Sequence, residues 1–106
     1  MNLKKSYIAD ANSEANKETL VQGMVYHFRT VTMYTIGKYE RESHIGNTHF
    51  IHLNPTYFVQ DTGNFQQFLT KGTPSSGCPM PDGNIINVDS IVDIQPFNSP
   101  IPTKEK

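Results

Sequence analysis

The run Met24–Ile36, MVYHFRTVTMYTI, constrains the fold more than any other part of this chain. It is rich in β-branched and aromatic residues and alternates with a period of two, the signature of a strand whose two faces differ. Met24, Tyr26, Phe28, Thr30, Thr32, Tyr34 and Ile36 fall on one side; Val25, His27, Arg29, Val31, Met33 and Thr35 fall on the other. A run this long exceeds the usual strand of about 5–6 residues, so it predicts one strand with a bend or bulge near Thr30–Thr32, followed by a corner at Gly37-Lys38.

A second β signal follows. YERESHI and THFIHL flank Gly46-Asn47, residue types that tolerate positive φ, and this predicts a two-residue hairpin. Asn54-Pro55 is expected to end the second arm, because proline gives no ladder hydrogen bond. Beyond the short apolar piece YFV, Phe65, Phe68 and Leu69 stand at i, i+3 and i+4, one face of a helix. Lys71 and Gly72 supply its stop, so a short helix is expected over about 62–71. TPSSGCPMPDG reads as a loop, and NIINV and SIVDI as two short strands separated around Asp89. The pattern is α+β and β-rich: a small curled sheet or partly closed barrel of 5–6 strands with one short helix and flexible termini.

Three segments follow from this. Residues 1–22 are polar and read as an amino-terminal arm or marginal helix, with Asn12 or Ser13 as its cap. Residues 23–95 form a single β-rich domain, which the 106-residue length allows and does not exceed. Residues 96–106 carry Pro96, Pro100 and Pro102 and read as an extended, mobile carboxy-terminal tail.

Bulk properties narrow the function. The net charge of −1 argues against a nucleic-acid partner held through its phosphates, and GNTHFIHLNPTYFVQ interleaves aromatics with polar residues but offers no cations for a base-stacking platform. No Gly-rich phosphate loop is present. No apolar run reaches the ~18 residues of a membrane span, and the basic start lacks the apolar core of a secretory signal. Cys78 alone rules out an internal disulfide and reads as an inert loop thiol.

Asp61-Thr62-Gly63 spells the catalytic triplet of the aspartic proteases, which in a chain of this size would need a second copy to complete the carboxylate pair. Proteases of that kind place apolar residues before the triplet, whereas Gln60 precedes it here and Asn64-Phe65 follow. A helix cap explains more of the letters: Asp61 or Thr62 would accept from backbone N–H groups of the first turn. The four histidines give no converging ligand set, since His49 and His52 lie an odd number of residues apart and point to opposite strand faces, and His44 can reach only one of them. No catalytic residue, cofactor or metal is therefore expected. Arg29 is the one charge in a strongly apolar β run and is expected to pair with Asp61 or Glu40, or to anchor an interface. Arg29, Tyr34, Tyr57, Phe58 and Phe97 are the candidate interface residues.

With YHFRTVTMYTIGKY, DTGNFQQFLTKG and MPDGNIINVDSIVDI in order, residues 23–95 resemble a set of short, uncharacterised proteins of phages and prophages. In that set an Arg-Thr-Val-Thr strand leads to a Gly, and Asp-Thr-Gly-x-Phe opens an amphipathic stretch ending in Gly, before a Pro-Asp-Gly turn and a last apolar strand. This chain lacks the Trp residues of the pattern, with Tyr57 or Phe58 and Phe97 in their place, and adds the polar arm. The resemblance implies a small protein made in infected bacteria, in the virion or the cytoplasm, that works by contact with protein partners, itself or other virion proteins. The expected function is a non-enzymatic interaction protein of the virion or its assembly. The alternatives are an early inhibitor of a host enzyme or defence factor and, more remotely, a homodimeric protease using Asp61.

Overall fold

The chain turns back on itself where one long strand is expected. The computed structural model describes residues 20–106. Strand β1, Val25–Thr30, and strand β2, Tyr34–Ile45, are antiparallel partners joined at Val31–Met33, with Arg29 opposite Tyr34. Thr30 makes the reversal possible. Its hydroxyl accepts from the Met33 N–H at 3.1 Å while its own backbone N–H donates to the Met33 carbonyl at 2.8 Å. A threonine side chain closing a turn in this way competes with continuing the strand. Gly37-Lys38 is correspondingly no corner and lies within β2.

The Gly46-Asn47 hairpin forms as read, with Ile45 opposite Thr48 and Gly46 at φ +62°. Its second arm, β3, runs Thr48–Asp61 straight past the proline expected to end it. The register steps from Gly37↔Thr56 to Tyr39↔Leu53, so Asn54 and Pro55 together oppose the single residue Lys38. Proline is tolerated there because a bulge residue owes the ladder no hydrogen bond. The extra residue also inverts the alternation of β3. Ile51 and Leu53 face one core, with Leu20, Phe28, Tyr39, Ile86, Val88 and Ile91; Tyr57 and Val59, of the same parity, face another, with Ile36, Phe68 and Phe97. Each such side chain, fully buried, contributes roughly 1.5–3 kcal/mol.

β3 is the spine of the sheet. Along one border it pairs first with β5, Asn84–Asn87, and then with β4, Ser76–Met80, a strand where a loop is expected. A single 3-10 turn at Val88–Ser90 leads into β6, Ile91–Pro96, which pairs with β1 and forms the other border. The result is an antiparallel, curled and unclosed six-stranded sheet in the order β4-β3-β2-β1-β6, with β5 beside β3. The border strand β6 has a register shift opposite Arg29/Thr30 and a proline at its end.

Among the described residues the one α-helix, α1, spans Phe65–Lys71 and seals the second core with Phe68. Its cap is a correction to the sequence reading. The Asn64 side chain, and not Asp61 or Thr62, accepts from the first turn, at 3.0 Å from the Gln67 N–H. Asp61 is spent three residues earlier: its carboxylate accepts from the Gly63 N–H at 2.8 Å, closing the Asp-Thr-Gly turn where Gly63 takes φ +68°. The acid does tie down backbone, but in the turn that delivers the chain to the helix. Asn64→Ala is expected to cost about 1 kcal/mol in chemical denaturation and Asp61→Ala less than half of that. Equal losses would return the cap to Asp61.

The arm read over 1–22 lies outside the described residues up to residue 19; Leu20 is buried in the first core. The segment after β6, expected to be extended, bends at Ser99 and Lys104 and is packed along the molecule. Phe97 is inserted beside Phe68, with ring centroids 5.6 Å apart. Further on, Gly77 and Lys106 exchange backbone hydrogen bonds, 2.9 Å from the Lys106 N–H and 3.3 Å from the Gly77 N–H, while the Tyr57 hydroxyl donates to the Lys104 carbonyl at 3.2 Å. The segment thus leaves the β6 border and reaches the β4 border. Position 77 has to be glycine for this: a Cβ there would come within 2.5 Å of the Tyr57 ring and of the Phe58 carbonyl.

Candidate functional site

Three of the five candidate interface residues meet at the β1–β2 turn. Arg29, Tyr34 and Phe58 line one open cleft of about 530 Å³ together with Val31, Met33 and Val92. The turn presents these groups because it is pinned from both sides, by the Thr30 hydroxyl within it and by the Val31 N–H donating to the Ser90 carbonyl at 3.0 Å. Val31 is 77% exposed, and Val92 stands out where β6 bulges.

Arg29 pairs with Asp93, its cross-strand neighbour on β6, and not with Asp61 or Glu40. The side chains remain 42% and 28% exposed, so solvent screening limits the pair to under about 1 kcal/mol. It is also incompletely satisfied, since Arg29 Nε and Asp93 Oδ1 are buried without a hydrogen-bond partner. Two residues along β1 on the same face, His27 is fully buried, and neither ring nitrogen finds a partner. Its imidazole lies among Tyr34, Phe65 and Phe68, with ring centroids 5.6, 5.4 and 5.3 Å away. Burial pushes His27 down from 6.5 to about 4, against the raising effect of Asp93 and with a smaller lowering effect from Arg29. A neutral aromatic stack therefore backs Tyr34 and fixes the wall of the cleft.

The other two candidates belong to the core. Tyr57 is 0% exposed and Phe97 4%, each packed in the cluster that α1 covers, so neither is available to a partner. Burial, then the nearby Cys78 and Glu105, push the Tyr57 phenol above its ordinary range. Conversely, the sequence reading missed Val31, Met33 and Val92. For Val31 and Met33 the signal was present in the apolar residues spaced through TVTM, but a turn there was needed to bring them to the cleft, and Val92 depends on the bulge in β6.

The remaining chemistry is dispersed. His44 stacks on His49 at 4.2 Å, and His49 Nε2 meets Glu42 at 3.0 Å, while His52 goes to the opposite face and bonds Ser43 at 2.6 Å. The parity argument for these histidines holds. Among the described residues no three His, Cys, Asp or Glu groups are placed to hold a metal ion, and no helix is long and apolar enough to cross a membrane. Asp61 is exposed at the end of β3.

What the site can do is present apolar and aromatic side chains around one guanidinium on a rigid rim, the composition enriched where proteins bind proteins. Comparison with known protein families, curated proteins and solved structures finds no match for this chain.

Proposed function

We propose that this protein is a non-enzymatic interaction protein of the short phage and prophage type, associated with a virion or its assembly, and that it engages a protein partner through the cleft at the β1–β2 turn. The observation that carries the reading is the convergence of Arg29, Tyr34 and Phe58 with the protruding Val31 and Val92 around one cleft. Such a surface is apolar at its centre, and its single cation is already oriented by Asp93 before a partner arrives. Pre-orientation lowers the side-chain entropy cost of binding, about 0.5–1.5 kcal/mol for each long side chain.

Mass spectrometry of purified particles and light scattering of the isolated protein test it. The protein is expected to be particle-bound or self-associated, and a strict monomer absent from particles overturns the assignment. A single stoichiometric host enzyme captured instead would move the function to inhibition. The site is tested separately by Val31→Asp. Because Val31 is exposed, folding stability is expected to stay within about 0.5 kcal/mol of the parent. Partner affinity should nevertheless fall on the order of tenfold or more, as for a hot-spot residue. Unchanged affinity would place the contact elsewhere on the molecule.

A further inference from the structure

The chain has four histidines, and two of them form a pair. His27 is sealed among aromatic rings, and His52 is turned to the opposite strand face, where it bonds Ser43. His44 and His49 face each other across the Gly46-Asn47 hairpin as direct cross-strand partners. They stand one step in from Ile45↔Thr48, the pair that closes the two-residue loop. That step is the non-hydrogen-bonded position, where opposite Cα atoms approach to about 4.5 Å and side chains lie closest. The imidazoles accordingly stack, with ring centroids 4.2 Å apart and planes 21° from parallel.

The two rings are held differently. His49 Nε2 lies 3.0 Å from Glu42 Oε2, its diagonal neighbour on β2. An ionised carboxylate only accepts, so Nε2 carries the proton and the neutral ring keeps its lone pair on Nδ1. An imidazole oriented by a carboxylate through one nitrogen, with the other nitrogen free, is the usual arrangement of a metal-binding histidine. His44 is exposed, and neither of its nitrogens is hydrogen-bonded among the described residues. Stacked rings do not share a lone-pair direction, but the ring torsion of histidine is broad and soft. Turning both rings about Cβ–Cγ lets two nitrogens approach one ion, each at the ~2.0–2.1 Å of a zinc–imidazole bond. The backbone stays in place meanwhile, because β3 is also paired with β5 from Phe50 to Leu53.

A closed structural site needs more protein ligands than this, and no set of three is placed for one among the described residues. Two imidazoles make a different kind of site, shallow and exchangeable, with water completing the coordination. We infer that His44 and His49 form a two-histidine site for a divalent transition-metal ion, with Glu42 as its positioning residue. Imidazole nitrogen selects Cu2+, Ni2+ and Zn2+ over the oxygen-seeking Mg2+ and Ca2+, and the general affinity order of first-row ions places Cu2+ first. A bound ion ties the two arms together at the hairpin tip, where β2 beyond Tyr39 is paired with β3 alone among the described strands. The site lies at the opposite end of β2 from the cleft, so either assignment can fail without the other.

Isothermal titration calorimetry of the full chain with Ni2+ tests it, since Ni2+ does not oxidise Cys78 as Cu2+ can. Saturation at one ion per chain is expected, with no binding of Mg2+ and a melting temperature that rises as Ni2+ is added. His44→Ala and His49→Ala, each checked for folding by circular dichroism, are expected to weaken binding on the order of tenfold or more, and Glu42→Gln about tenfold. His52→Ala should leave the affinity unchanged. Diamagnetic Zn2+ supplies a second reading: in proton NMR the ring signals of His44 and His49 should shift on its addition, and those of His27 and His52 should stay. Binding that survives His44→Ala or His49→Ala, that is lost with His52→Ala, or that never saturates overturns the proposal.

Discussion

Acidification from pH 6.5 to 4 is expected to remove on the order of 3 kcal/mol of stability through His27 alone. The group is fully buried and neutral, and its folded value of about 4 lies below the 6.5 of an unfolded histidine. Between those values the unfolded chain binds a proton that the folded chain refuses. The contribution is therefore complete above pH 6.5, falls through the window, and does not change further below pH 4. Asp93 moderates the effect and Arg29 adds to it, but desolvation is the largest cause. Carboxylates titrate in part of the same window, so the informative quantity is a difference. His27→Phe keeps a ring among Tyr34, Phe65 and Phe68 and removes two unpartnered nitrogens. Urea titrations followed by circular dichroism should show the variant losing far less between pH 6.5 and 4, with stability at pH 7 equal to or above that of the parent. A variant with the parent's slope would mean that His27 is protonated in the folded state or reached by water.

Tyr57→Ala is expected to be the most damaging single truncation, at about 3–5 kcal/mol, because a fully enclosed ring leaves a cavity at the centre of the second core. It also removes the group that bonds Lys104 and covers Gly77, so the segment after β6 should loosen together with the core. Tyr57→Phe keeps the ring and loses the hydroxyl, at a cost of about 1 kcal/mol. The pair of variants separates core from contact surface. An interface residue would lose partner affinity and leave the melting temperature nearly unchanged, whereas here the melting temperature should fall first. Phe58, half-buried and lining the cleft, should instead lose partner affinity with the smaller fall in melting temperature.

The contrast between these aromatics shows what the linear pattern carries. Period two identified strand material at Val25–Thr30 and Tyr34–Ile36, yet it is blind to where the chain reverses between them, and the reversal depends on one threonine hydroxyl bonding three residues ahead. Alternation also failed where its phase changes in the middle of β3. Ile51, Leu53, Tyr57 and Val59 share a parity, and only the two-against-one step at Asn54-Pro55 sends the second pair to a different core. Tyr57 and Phe58 were thus equivalent candidates in the letters and are opposites in space. Short-range chemistry was more legible. The Gly46-Asn47 turn, the αL stop at Gly72 and the split faces of His49 and His52 all depend on neighbours within a few residues. The cap moved by three positions because Asp61 and Asn64 are both good acceptors and the nearer turn claimed the first. The Arg29–Asp93 pair joins residues 64 apart, beyond the range of any local rule.

The border formed by β6 carries a lasting consequence for how this protein crowds with its own kind. A kink and an imino acid at its end make that margin a poor template for a further strand. At the opposite margin the Gly77 main chain is already bonded to Lys106, so that position offers a neighbouring strand nothing.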